Sequence, residues 1–333
     1  MKKYPQREIV GLDKLTYSGN MRNLETVIQE NTQRFHFVRG NITDFELVRK
    51  IFDKFEIDGL INFAAESHVD RSIENSKVFI ETNVLGTHTL LEICKRFWYK
   101  NNQWKENKKF LQISTDEVYG SLGPENLFSE KTPLDPRSPY SASKASADLI
   151  VKSFYDTYNM PVNISRCSNN YGPYQFPEKL IPLMINNCLN HRQLPIYGDG
   201  KQIRDWLHVD DHCQAIDLIY EEAEAGEIYN VGGNNERENI VVVSKIIEYL
   251  QSKTNDDQIN DSLITHVKDR LGHDRRYAID ASKIKQDLGW NPSIQFNDGI
   301  KNTIEWYLNN RNWLNEIISK EYLNFNKTFS SIL

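Results

Sequence analysis

KKFLQISTDEVYG (108–120) is an apolar run that ends in a threonine and two adjacent acids. FLQIS reads as a strand buried in a sheet, and the acids mark where the chain leaves the core. The same kind of run recurs on both sides, at REIVGLD (7–13), RFHFVRG (34–40), DGLINFAAE (58–66) and PVNISRCSNNYG (161–172). Helical patterns lie between the runs. In DFELVRKIFDKF, residues Phe45, Val48, Ile51, Phe52 and Phe55 fall on one helical face. Residues 76–97 form a long, mostly apolar helix, and 136–158 opens with the prolines and serines that suit a helix N-terminus. This alternation predicts an α/β fold, a doubly wound and mostly parallel sheet of the Rossmann-like kind.

In such sheets ligands bind beyond the carboxyl ends of the strands. Asp13, the stretch 64–67, the triplet 115–117 and the pair 169–170 all fall at predicted strand ends, which is the first sign of a site. After about residue 172 the rhythm loosens into polar-aromatic loops separated by single short helices. Residues 1–172 are therefore expected to form a cofactor-binding domain. Residues 173–333 are expected to be mainly a smaller C-terminal substrate-binding region, interleaved with the last strands of the main sheet. The tail after about 310 reads as a helix with a frayed end.

The net charge of −6 argues against binding nucleic acid by neutralising phosphates. Local clusters of Arg and Lys can still hold a small anion. Cys94, Cys167, Cys188 and Cys213 contain no C-x-x-C pair and read as reduced thiols of a cytoplasmic protein, neither a disulfide framework nor a zinc site. No run approaches the length needed to span a bilayer.

Three features carry chemistry. Tyr140 and Lys144 stand at Tyr-x-x-x-Lys, one helical turn apart and so on one face. An ammonium beside a phenol favours the phenolate, which can take a proton from an alcohol while hydride leaves its carbon. Taken alone, the pair also fits an exposed helix start. Thr115, Asp116 and Glu117 read either as a polar strand end or as an acid–base pair whose pKa values are pushed apart. Arg204, Arg270, Arg275, Arg276 and Lys179 fall in the late loops, where guanidinium groups could grip a diphosphate, although each one singly suits a solvated surface. HVDDH (208–212) spaces two histidines around two acids. No metal is expected there, and Asp210 and Asp211 are expected to cap the helix that follows.

LDKLTYSGN, AAESHVDRSI, STDEVYG, SPYSASKASAD, CSNNYGPYQFPEKLIP, LPIYGDGKQIRDWLHVDDH and DRLGHDRRYAID, in this order, closely resemble the dTDP-glucose 4,6-dehydratases, a family of extended short-chain dehydrogenases/reductases. The similarity runs from about residue 4 to about 310. It implies an NAD-dependent hydro-lyase of nucleotide-sugar metabolism that converts dTDP-glucose to dTDP-4-keto-6-deoxyglucose and water. Tyr140 would deprotonate the 4-hydroxyl, with Lys144 lowering its pKa and holding ribose. Glu117 would take the C5 proton, Asp116 would protonate the departing 6-hydroxyl, and Thr115 would bind the 4-oxygen. Asp13, Lys14, Leu15, Thr16, Asn41, Ile42, Phe63, Ala64, Ala65, Glu66, Thr82 and Asn170, with Tyr140 and Lys144, would line NAD. Ser67, Thr115, Asn169, Lys179, Leu180, Ile181, Pro182, Leu183, Met184, Pro195, Ile196, Tyr197, Arg204, Asn239, Asp269, Arg270, Leu271, Gly272 and His273 would line the sugar nucleotide. A homodimer built on helices 76–97 and 136–158 is implied as well. Asn41 departs from the family, which usually has an aspartate there; its amide oxygen can still accept from an adenine amine.

Asp13 should follow a glycine-rich phosphate loop by about 20 residues. Only twelve residues precede it, and their one glycine, Gly11, lies inside the first strand pattern, so no glycine-rich loop is present before Asp13. The expectation is an N-terminally truncated Rossmann-like domain, from a shortened gene product or a misplaced start codon. Two alternatives accompany the dehydratase: a nucleotide-sugar 4-epimerase, which has no use for the Asp116–Glu117 pair, and a non-catalytic remnant that binds sugar nucleotide but not NAD.

Overall fold

A computed structural model describes residues 1–327. The strands are β1 (Ile9–Asp13), β2 (Phe35–Arg39), β3 (Gly59–Asn62), β4 (Lys109–Thr115), β5 (Val162–Cys167), β6 (Asn169–Tyr171), β7 (Leu194–Tyr197), β8 (Ile203–His208), β9 (Ile228–Val231), β10 (Glu236–Glu238) and β11 (Ile264–Val267), together with a two-residue hairpin at 99–104. The central sheet runs β9-β5-β4-β3, all parallel, and β1-β2 is a separate parallel pair. The doubly wound α/β expectation holds. FLQIS sits at the centre because Phe110 and Leu111 are fully buried, as a strand covered on both faces requires.

Helix α1 (Phe45–Lys54) starts at Asp44, whose carboxylate accepts from the Leu47 amide, and it buries Val48, Ile51 and Phe52. Phe55 lies just past its end. The predicted helix 76–97 is continuous but not uniform. Residues Ile80–Gly86 are π-helical before α2 (Thr87–Trp98) resumes the ordinary period. The change brings Asn83 inward, where its amide bonds both Glu66 backbone groups at 2.9 and 3.0 Å and Ser143 Oγ at 2.8 Å. Helix α3 (Pro139–Tyr158) begins with Pro at its first position and a reciprocal Ser138–Ser141 capping box.

The predicted strand 161–172 is two strands. It breaks at Ser168, and β6 leaves the central sheet to pair with β8, Asn169 opposite Trp206. The reading of 58–66 also shortens, since β3 ends at Asn62 and the rest is loop. Beyond these strands α4 (Leu180–Leu189), α5 (Val209–Glu222), α6 (Asn239–Thr254) and α7 (Phe296–Asn309) follow. A second core joins α4, α6, α7 and the β8 side around Tyr171, Val243 and Phe296. Helix α8 (Arg311–Ile318) and residues Tyr322–Lys327 continue the tail; the expected frayed end lies outside the described residues.

β1 and β3 flank one core cluster, to which Leu12 and Leu60 both contribute, yet they do not pair with each other. The phenol of Tyr220 lies against Gly59, and Arg7 bonds Glu221 at 2.7 Å beside it. No described helix is long and apolar enough to cross a membrane.

Candidate active site

β4 delivers Thr115 to the end of the sheet, and residues 116–119 turn immediately into one 3₁₀ turn. Thr115 Oγ1 caps that turn by accepting from the Glu117 amide at 3.3 Å. Asp116 is buried, and one of its carboxylate oxygens has no hydrogen-bond partner. Burial first, then the neighbouring Glu117 and Asp205, push its pKa well above the carboxylate range. Glu117 is also raised by burial, but Arg204, Lys179 and Arg270 pull it back. The two adjacent acids thus face different surroundings, which is what separate acid and base roles require.

α3 lays Tyr140 and Lys144 beside this turn. Burial, then Glu117, push the Tyr140 phenol well above its ordinary pKa, with Thr115 as a smaller lowering influence. This is opposite to the expected lowering by Lys144. The ammonium is turned to the sheet, donating to Ile113 O at 2.6 Å, and burial lowers its own pKa.

Two clefts meet along residues 66–71. The first is lined by Ser67, Asn169, Lys179, Leu180, Leu183, Met184, Pro195, Ile196, Tyr197, Arg204, Asn239, Arg270, Gly272 and His273, all expected on the substrate side, and by Glu117, expected as the catalytic base. Lys179 donates to Ser67 O at 3.1 Å, and Arg270 donates to Asp70 at 2.9 Å. Five expected members stand apart, the first being Thr115, buried at the end of β4. Ile181 and Pro182 are turned into the core as the inner face of α4, Leu271 is 70% exposed, and Asp269 bonds His273 at 2.6 Å. Of the five late cations, Arg275 and Arg276 are not in this cleft: they pair with Asp199 and Glu236.

The second cleft is lined by Lys14, Asn41, Glu66 and Thr82, with Tyr17 and Arg71. Asn41 Oδ1 accepts from the Thr43 amide at 3.1 Å. Asp13 Oδ1 accepts from the Leu15 amide at 2.6 Å, which bends the chain at the end of β1, and Leu15 itself packs into a small core. Ile42 is likewise a core side chain, whereas Phe63 is 60% exposed. Ala64 packs against the central core, and Thr16 and Ala65 lie on the adjoining loops. Asn170 accepts from His212 Nδ1 at 2.9 Å.

The cap of α5 is His208, whose ring accepts from the Asp210 amide, and not Asp210 or Asp211. Asp211 is buried and instead holds Ser293 and Ile294. No cluster with metal-ligand geometry occurs among the described residues. The sequence reading missed Tyr277 and Asp274, which line the first cleft and brace Arg204. Arg204 stacks over the Tyr277 ring at 4.3 Å and donates to Asp274 O at 3.0 Å. The aromatic end of DRLGHDRRYAID was the available signal.

Residues 2–303 match the family model described as GDP-mannose 4,6 dehydratase. A dTDP-glucose 4,6-dehydratase of Xanthomonas campestris is 50% identical over 317 residues, covering 94% of this chain and 90% of the relative. A Bacillus anthracis dTDP-glucose 4,6-dehydratase solved in complex with NAD superposes with a TM-score of 0.84 at 46% identity, covering 95% of this chain and 93% of that one. A Streptomyces venezuelae enzyme of the same name, solved with NAD and TYD bound, gives 0.85 at 43% identity over 94% of this chain and 91% of that one. With the acid pair at the end of β4 and Tyr140 and Lys144 facing it, the chain belongs to the dTDP-glucose 4,6-dehydratases, within the wider family of nucleotide-sugar 4,6-dehydratases.

Proposed function

We propose that this chain converts dTDP-glucose to dTDP-4-keto-6-deoxyglucose and water with NAD as cofactor. The observation that carries the reading is the convergence of Tyr140, Thr115, Asp116 and Glu117 at one strand end, above a cleft bearing Arg204, Lys179 and Arg270. A 4-epimerase would need Tyr140 and Lys144 but not the acid pair.

The residues fit a dinucleotide at its two ends. Lys144 spends one of its three N–H donors on Ile113 and keeps two for ribose hydroxyls. Lys14, Asn41, Glu66 and Thr82 line the adenosine side. NAD would supply the hydride acceptor at C4 and the hydride donor at C6, and its ring charge would favour phenolate at Tyr140. Tyr140 takes the proton of the 4-hydroxyl, and Thr115 donates to the 4-oxygen as it becomes a carbonyl. That carbonyl acidifies C5–H. Glu117 removes the C5 proton as the C6–O bond breaks, and Asp116, whose burial favours its protonated form, gives its proton to the leaving oxygen so that water departs; Glu117 then gives its proton back to C5 as hydride adds at C6. Arg204, Lys179 and Arg270 hold the nucleotide diphosphate.

Exposed Ile80, Leu85 and Leu149 on the helices 77–98 and 139–158 support the homodimer reading, and the four free thiols support a cytoplasmic location. The domain division at about residue 172 is kept in this reading, because one core lies almost wholly before it and another almost wholly after it, while the cluster of Leu111 with Leu207 and Tyr229 carries the interleaving. Incubating the 333-residue chain with dTDP-glucose and NAD tests the reading: formation of the 4-keto product supports it. A 4-epimer would favour the epimerase, and sugar-nucleotide binding without turnover would favour the remnant.

A further inference from the structure

Three buried polar groups have no part in the chemistry above. Arg166 on β5 pairs with Asp148 on α3, Nε to Oδ2 at 2.8 Å, and both side chains are almost fully enclosed. The same guanidinium donates from Nη1 to the Tyr119 hydroxyl at 3.0 Å, and that hydroxyl donates to Asn230 Oδ1 at 2.8 Å. Asn230 is fixed in turn by donating to Phe128 O at 2.9 Å. A buried ion pair costs desolvation and is weak evidence for stability, so its retention calls for another reason.

The places it joins supply one. Asp148 stands one helical turn after Lys144 on the helix that also carries Tyr140. Tyr119 closes the 3₁₀ turn that carries Asp116 and Glu117. Arg166 lies opposite Ser114 in the β4–β5 ladder, directly beneath that turn. Thr115 secures the start of the turn, and Tyr119 is the side chain that secures its end.

We propose that Asp148, Arg166 and Tyr119 are positioning residues that lock the acid turn in register with the Tyr140–Lys144 helix, so that the ketone formed at one is presented to the acids of the other. The consequence is selective: loosening the lock slows elimination more than C4 oxidation. This rests on the dehydratase reading, and the test separates the two.

The variant is Tyr119→Phe, which keeps the ring stacked on Phe128 and removes only the hydroxyl. Rapid-quench single turnovers with dTDP-glucose and NAD should show elimination slowed about tenfold or more while nicotinamide reduction keeps its rate. Equal slowing of both steps, or of neither, overturns the lock. A second measurement needs neither cofactor nor turnover. Carboxyl ¹³C titration of labelled Asp and Glu, assigned with Glu117→Gln and Asp116→Asn, should show shifted midpoints for Asp116 and Glu117 in Tyr119→Phe. Unmoved midpoints overturn the proposal even if the parent proves inactive, whereas inactivity with moved midpoints sinks only the dehydratase reading.

Discussion

Lys144 donates to the carbonyl oxygen of Ile113 at 2.6 Å, which anchors the ammonium to the strand that ends in Thr115. Its charge is therefore held in place before any ligand arrives, at the expense of burial that lowers its pKa. Lys144→Met keeps the length of the side chain and removes the charge. The variant should fold, and its rate of nicotinamide reduction should fall by roughly two to four powers of ten. A stopped-flow trace at the parent rate would remove Lys144 from the oxidation step.

Glu117 is the base only if oxidation precedes its action. Glu117→Gln should therefore reduce nicotinamide on mixing with substrate and then stop, with product formation down by roughly a hundredfold or more. Mass spectrometry of quenched samples distinguishes the 4-keto sugar that retains its 6-hydroxyl from the dehydrated product. Dehydration at the parent rate would show that another group takes the C5 proton.

Asp116 should weaken the fold. Its pKa is raised in the folded chain, so between the ordinary carboxylate value and that raised value the native state binds more protons than the unfolded one. Stability then falls as pH rises through this window. Asp116→Asn should gain on the order of 1 kcal/mol at neutral pH, and less as pH falls toward the ordinary carboxylate range, while losing activity. Urea unfolding across that pH range reads the difference, and a gain that grows on acidification would have the wrong sign.

Arg270 is partly buried, stacks on Tyr197 and pairs with Asp70 across the first cleft. If it grips diphosphate, Arg270→Ala should raise KM for dTDP-glucose by roughly ten- to a hundredfold with a smaller effect on kcat. An unchanged KM would reassign it to holding the two loops together.

Much of this was legible because it is local. The Tyr140–Lys144 spacing, the Pro139 and Ser138 helix start, and the acids closing a buried strand are each written within a few residues. What was not legible depends on partners far away in the chain. Ser168 ends β5 because residues 169–171 find β8 some 35 residues later, and nothing in CSNNYG announces that exchange. The expected direction of the Tyr140 shift failed for a related reason: spacing placed Lys144 nearby but could not show it bonded to Ile113. Nothing in the sequence singled out Asp148, Arg166 or Tyr119, and only the packed sheet buries them together. His208 replaced the two aspartates as the α5 cap because Asp211 is committed to the 293–294 loop.

The space between β1 and β3 governs how this chain behaves before it meets any sugar. Among the described residues no strand pairs with the free edge of either, and the two edges lie on either side of a shared apolar cluster. Two open parallel edges facing one core are a template for strand addition. The chain alone should self-associate as its concentration rises, with a gain in β-sheet infrared signal. A short extended apolar peptide should suppress that association and raise the melting temperature. Sedimentation of a monomer or a single discrete dimer at all concentrations, indifferent to such a peptide, would mean that Tyr220 and its neighbours already seal the gap.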